Sequence, residues 1–249
     1  NASVNITEPV TLAASATVDN NASCNGVADG GATASATGVT GAYTYAWSNS
    51  GNTASIIGLA AGTYTVTLTD ANGCNDNATI NITEPVVVAL TSDSVDATCN
   101  SVCDGQAMVI SAGGTTPYSF LWNDALAQTN DTANALCVGA YQVVVTDANG
   151  CSDSISVNID EPTTLIATAA VDSNASCNGV ADGGATASQT GGTSPYSYLW
   201  DDPSAQTNAV ATGLAAGTYT VTITDANGCN DTASVTITEP ALLVASAVI

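Results

Sequence analysis

Apolar and polar residues alternate along short stretches of this chain with a period of two. In Thr63–Thr69, Tyr64, Val66 and Leu68 fall on one face and four threonines on the other. Alternation of this kind marks half-buried strands, and Val, Thr, Ile and Tyr suit a pleated surface. Gly, Asn and Asp bound each stretch, as turns require, and no run shows helical spacing. The first 84 residues carry predicted strands at Val10–Val18, Ala32–Thr37, Ala42–Ser48, Thr53–Ile57, Thr63–Thr69 and Ala78–Thr83. The density corresponds to about seven short strands per unit of under 80 residues, the signature of a sandwich.

The pattern then recurs. An acid followed by proline returns at Glu8, Glu84, Glu161 and Glu239, at spacings of 76, 77 and 78. Between these marks the same words come back in order: "CNGVADG" or "CNSVCDG" from Cys24, Cys99 and Cys177; aromatic runs ending at Trp47, Trp122 and Trp200; and "TDANGC" ending at Cys74, Cys151 and Cys229. A fixed period of this length means tandem structural repeats. The expected division is a repeat end at 1–8, repeats at 9–84, 85–161 and 162–239, and the start of a further repeat at 240–249. Both outer segments match the interior of the pattern, so the native chain is expected to continue in both directions.

The "LAAGTYTV" stretch fits a tyrosine corner at the start of the sixth strand of an immunoglobulin-like fold, with Tyr64 capping the turn and Tyr141 and Tyr219 as its equivalents. The fold class expected is all-β: tandem immunoglobulin-like β-sandwich repeats of about 77 residues arranged as a rod. At "CNG-x-x-DG", "PY-x-Y-x-W", "GL-x-AGTY-x-V-x-x-TDANGC" and the terminal "TEP", the chain resembles the SprB repeat family of large surface adhesins in gliding Bacteroidota. The resemblance implies an extracellular, cell-surface filament or adhesin, with its anchor or motor outside this sequence.

Composition narrows the chemistry. The chain has no Lys, Arg or His and 22 acidic residues among 249. No imidazole base, Schiff-base lysine or cationic oxyanion clamp can be built, which removes most enzyme mechanisms and leaves paired carboxylates as the remaining formal route. A net charge of −22 opposes nucleic-acid binding and docking on anionic membranes. No apolar run reaches the roughly 18 residues that span a bilayer, so no membrane insertion is expected. The expected class is a structural or adhesive protein, with a carbohydrate-binding array as the alternative.

Tyr43, Tyr45 and Trp47 share one strand face, as do their counterparts ending at Trp122 and Trp200; core packing is the expected role. Eight cysteines in a strand-rich chain imply disulfides. Cys103 and Cys137 both replace alanines of the other repeats (Ala28 and Ala181; Ala60 and Ala215), which suggests a contact. Two further cysteines per repeat favour the bridges Cys24–Cys74, Cys99–Cys151 and Cys177–Cys229. Against that, a sixth strand of about eight residues separates the poles of a sandwich by roughly 26 Å, beyond the ~7 Å a disulfide tolerates. Stapling between repeats, Cys24 to Cys151 and Cys99 to Cys229, therefore stays open.

The same pole argument lets Asp29, Glu84 and Asp147 meet at one joint and Asp104, Glu161 and Asp225 at the next. Carboxylates at a joint are what calcium requires, although Asp-Gly and Asp-Ala-Asn-Gly are turn sequences in their own right. No cofactor is required, and calcium is the one candidate. Ser94, Thr132, Ser154 and Thr232 each follow an Asp and precede an apolar residue, which looks like the Bacteroidota sequon for O-glycans. The expected partners are neighbouring repeats of the same long chain and like chains in a filament.

Overall fold

The computed structural model describes residues 3–5, 10–38 and 41–245. Glu8, most of the expected segment 1–8, and residues 246–249 lie outside the described residues. Among those described there are eighteen strands and no helix. The first six are β1 Ala13–Asn20, β2 Gly30–Thr37, β3 Thr44–Trp47, β4 Ser55–Leu59, β5 Gly62–Thr69 and β6 Asn75–Ile82. The second set comprises β7 Ala89–Val95, β8 Gly105–Ala112, β9 Ser119–Trp122, β10 Thr132–Leu136, β11 Gly139–Thr146 and β12 Ser152–Ile159. The third comprises β13 Ile166–Ser173, β14 Gly183–Thr190, β15 Ser197–Trp200, β16 Val210–Leu214, β17 Gly217–Thr224 and β18 Asn230–Ile237.

Each set forms two antiparallel sheets of three, ordered β1-β2-β4 and β3-β5-β6 in the first repeat. This is the immunoglobulin arrangement of strands A-B-E facing C-F-G, without strand D. The count is thus six per repeat and not about seven. Only seven residues join β3 to β4, and they turn tightly, with the Trp47 N–H donating to the Gly51 carbonyl, so no length remains for a D strand. The tyrosine corner accordingly opens the fifth strand of six.

Period two places the core. In β5, Val66 and Leu68 are fully buried; they pair across the sheet with Trp47 and Tyr45, while the intervening threonines face outward. Opposite them, β2 contributes only Ala32 and Ala34, and small residues there make room for the indole of Trp47. The same cluster recurs around Trp122 and Trp200. Gly105 shows how close the sheets approach: a Cβ there would lie 2.6 Å from Ile159 Cγ2 and 3.0 Å from the Leu136 carbonyl.

This packing defines two poles. The loop joining β1 to β2 and the tyrosine corner lie at the start of β5, and the Asp-Ala-Asn-Gly-Cys turn lies at its end. Eight strand residues separate them, roughly 26 Å.

Candidate functional site

The residues that recur most strictly gather where one repeat meets the next. At the first joint Glu84 reaches back into the β1–β2 loop of its own repeat. Its two oxygens accept from Asn25 Nδ2 at 3.0 Å and the Gly26 N–H at 2.7 Å. Asn25 Nδ2 also donates to the carbonyl of Pro85, at 3.3 Å, which ties the loop to the connecting segment. The next repeat presents its Asp147–Cys151 turn to this loop: Asn149 Nδ2 donates to the Ser23 carbonyl at 3.0 Å, and Cys24 is disulfide-bonded to Cys151 with Cα atoms 5.7 Å apart.

The second joint repeats the arrangement. Glu161 accepts from Asn100 Nδ2 at 2.8 Å and the Ser101 N–H at 2.7 Å, Asn227 Nδ2 donates to the Thr98 carbonyl at 2.9 Å, and Cys99 is bonded to Cys229. In the third repeat Glu239 holds Asn178 and Gly179 in the same way, both at 2.8 Å. Each joint therefore combines a carboxylate clamp within one repeat, an asparagine bridge to its neighbour, and a disulfide.

The expected bridges Cys24–Cys74, Cys99–Cys151 and Cys177–Cys229 do not form. Their members sit at opposite poles of one sandwich, and the length of β5 keeps them apart, whereas the following repeat brings its turn to within disulfide distance. Cys74 and Cys177 are exposed free thiols. Cys103 and Cys137 are bonded within the second repeat, at the pole that carries its tyrosine corner.

The acids serve the loops. Ser23 donates to Asp29 through both its hydroxyl and its N–H, and these bonds hold the Asp29 carboxyl below the usual range; Thr98 does the same for Asp104. Burial works to raise the Asp147 carboxyl, but the N–H groups of Thr115, Cys151, Asn149 and Gly150 outweigh it and the net shift is downward. Asp225 behaves alike, its burial outweighed by N–H groups of Thr193, Cys229, Asn227 and Gly228. Glu84 and Glu161 are committed to their clamps. Among the described residues no three acidic or cysteine side chains group as a metal site. Asp29, Glu84 and Asp147 share a joint and accept from separate N–H and O–H donors; Asp104, Glu161 and Asp225 do the same at the next.

The aromatic residues face inward. Trp47, Trp122 and Trp200 are buried, their indole N–H groups donating to the carbonyls of Thr53, Asn130 and Asn208. Tyr64, Tyr141 and Tyr219 donate to the carbonyls of Ala60, Cys137 and Ala215, four residues upstream, which is the tyrosine corner. No tryptophan face is left for a sugar. Ser94, Ser154 and Thr232 are exposed and Thr132 is half-buried.

Sequence reasoning missed the asparagines. Asn25, Asn100 and Asn178 in the first loop, and Asn149 and Asn227 in the turn, make the joint contacts. Their exact recurrence beside each cysteine was the available signal.

Strand order and joint chemistry together define a tandem array of immunoglobulin-like sandwiches whose joints are closed covalently. The family model for the SprB repeat matches the chain three times, at residues 16–52, 91–127 and 169–205. Each match runs from the first strand to the turn after the third, so the tyrosine corner and the cysteine turn lie beyond it. No curated protein matches the sequence. Among solved structures the chain is similar to a tetra-tandem repeat in the extending region of a large adhesion protein, at 16% identity over 91% of this chain and 74% of that one, with a TM-score of 0.27. It is similar also to Dscam in a structure concerned with isoform specificity, at 12% identity over 91% and 73%, with a TM-score of 0.30. The fold assignment rests on the strand order itself.

Proposed function

We propose that this chain is a load-bearing stalk segment of an extracellular filament or large cell-surface adhesin, in which the repeats act as stiff spacers and not as ligand sites. The observation that carries this reading is the joint. Two elements cross it, the Glu-Pro segment and the disulfide, and together with the asparagine bridge they leave no flexible linker. The division at 9–84, 85–161 and 162–239 is the proposed limit of each spacer. Disulfides of this number belong to an oxidising compartment, which agrees with an extracellular location. Attachment to a cell surface, a part in gliding, lateral association with like chains, and glycosylation at Ser94, Thr132, Ser154 or Thr232 extend the same reading.

The buried tryptophans tell against the carbohydrate-binding alternative, and the absence of His, Lys and Arg tells against catalysis. Small-angle X-ray scattering is the test. The oxidised chain should scatter as a single stiff rod, and reduction should make it flex at the joints. An oxidised chain that scatters as independently moving beads would overturn the proposal.

A further inference from the structure

Asparagine is followed by glycine at Asn25, Asn72, Asn149, Asn178 and Asn227, always in a loop or turn. Asn-Gly is the pair most open to spontaneous deamidation, because glycine has no Cβ to hinder closure of a ring. The glycine nitrogen loses its proton and attacks the asparagine Cγ, and Nδ2 departs with a proton as ammonia. Water then opens the succinimide to aspartate or isoaspartate. Water is the sole co-reactant.

In the first and third repeats one carboxylate stands across both reacting groups. Glu84 accepts from the Gly26 N–H, the nucleophile, at 2.7 Å through one oxygen, and from Asn25 Nδ2, the leaving group, at 3.0 Å through the other. Glu239 takes Gly179 and Asn178 in the same way, both at 2.8 Å. Ring closure needs the glycine nitrogen to give up the proton it directs at this carboxylate, and the negative charge beside it opposes that loss. The side-chain amide must also turn toward that nitrogen, yet Nδ2 is held a second time by the carbonyl of Pro85 or Pro240. The second repeat shows how firmly the clamp sets the backbone. Ser101 stands there in place of glycine and still takes the left-handed conformation, at φ 61° against 74° for Gly26 and 78° for Gly179, with its N–H 2.7 Å from Glu161. Residues with a Cβ seldom adopt that conformation unless their surroundings impose it.

Conversion would change the joint. A carboxylate at position 25 would face Glu84 over the distance that the hydrogen bond now spans, and the chain has no Lys, Arg or His to neutralise the pair. Like charges that close repel, so the loop would part from the Glu-Pro segment.

We propose that Asn25 and Asn178 are deamidation sites guarded by Glu84 and Glu239, and that their conversion opens the clamp irreversibly. While the clamp is shut, the carboxylate keeps nucleophile and leaving group apart. Once it opens, the pair reacts, and the product's charge prevents it from closing again.

The whole chain, with its disulfides intact, is held in neutral buffer for several weeks. Samples are then reduced, alkylated and cut with chymotrypsin, since the chain offers trypsin no Lys or Arg. The mass shift from amide to acid gives the rate at each asparagine. Asn25 and Asn178 should convert many-fold more slowly in the folded chain than in the reduced, urea-unfolded one. Glu84→Gln should speed Asn25 several-fold and leave Asn178 of the same molecule unchanged, and Glu239→Gln should do the reverse. Val66→Ala, which weakens the core of the first repeat without touching the clamp, controls for general loosening and should speed Asn25 far less than Glu84→Gln does. Asn25→Asp should raise amide hydrogen exchange at Gly26, and adding Glu84→Gln should reverse that rise. An Asn25 rate that is equal in folded and unfolded chains, or unmoved by Glu84→Gln, or raised as much by Val66→Ala, would overturn the guard; Asn25→Asp exchanging like the parent would overturn the opening.

Discussion

The disulfides redraw the path along which tension travels. The shortest covalent route enters at the N-terminus, leaves the backbone at Cys24 for Cys151, runs backwards to Cys137, crosses to Cys103, continues to Cys99, crosses to Cys229 and exits at the C-terminus. It contains about 60 residues of backbone, and at ~3.5 Å per extended residue, with the disulfide crossings added, it measures about 230 Å. Replacing Cys103 and Cys137 by Ser removes the shortcut inside the second repeat and lengthens the route to about 95 residues, about 340 Å. Full reduction restores the whole polypeptide, about 870 Å. Single-molecule force spectroscopy between the termini, with Cys74 and Cys177 replaced by Ser to prevent cross-linking, reads these contour lengths directly. The oxidised chain should stop near the first value, the double variant near the second and the reduced chain near the third. An oxidised chain extending well past 340 Å would refute the connectivity and with it the stalk reading. The second repeat's private disulfide thus acquires a role: it makes that repeat the least extensible element of the chain.

Other outcomes follow from the packing and the loops. Trp122→Ala empties a site in a closely packed core and should lower stability by about 3–5 kcal/mol in reduced-state denaturant melts, with the far-UV signal retained at low temperature. The carboxyls of Asp29, Asp104, Asp147, Asp182 and Asp225 lie below their ordinary values in the fold, so the unfolded chain takes up protons first as pH falls. Their stabilisation is complete above about pH 4, the ordinary aspartate value, and is lost as pH drops through the folded values; thermal melts should be flat from pH 7 to 5 and fall below 4. Asp147→Asn should blunt that fall. Chelation by EDTA, or added calcium, should leave the melting temperature unchanged, because the joint carboxylates already have their donors.

Much of the fold is readable from residues. The alternation at Tyr64, Val66 and Leu68, and the returning tryptophans, identify inward faces without reference to coordinates, and the tyrosine corner follows from Gly62 and Tyr64. Strand ends are less legible: β1 begins at Ala13 and not Val10, and the Thr11 carbonyl lies instead against Gly38, where a Cβ would come within 1.9 Å of it. Cysteine pairing is ambiguous for a physical reason. Translation by one repeat leaves the number of cysteines per unit unchanged, so composition cannot distinguish a bridge within a repeat from one between repeats. What decides is the length of β5, a distance and not a pattern. The asparagines were hidden by their own chemistry, because Asn-Gly satisfies a turn completely and gives no sign that the amide also reaches across a boundary.

The two joint bridges overlap along the chain, one spanning Cys24 to Cys151 and the other Cys99 to Cys229. Any single break in the backbone between residues 24 and 229 therefore falls beneath at least one of them, and the two ends stay covalently joined. A protease that nicks a loop in this span once does not shorten the molecule; to part its ends it must cut at least three times, once in each of the stretches 24–99, 99–151 and 151–229. Redundancy of this kind suits a fibre in a medium full of hydrolases, where failure at one peptide bond would otherwise discard everything distal to it.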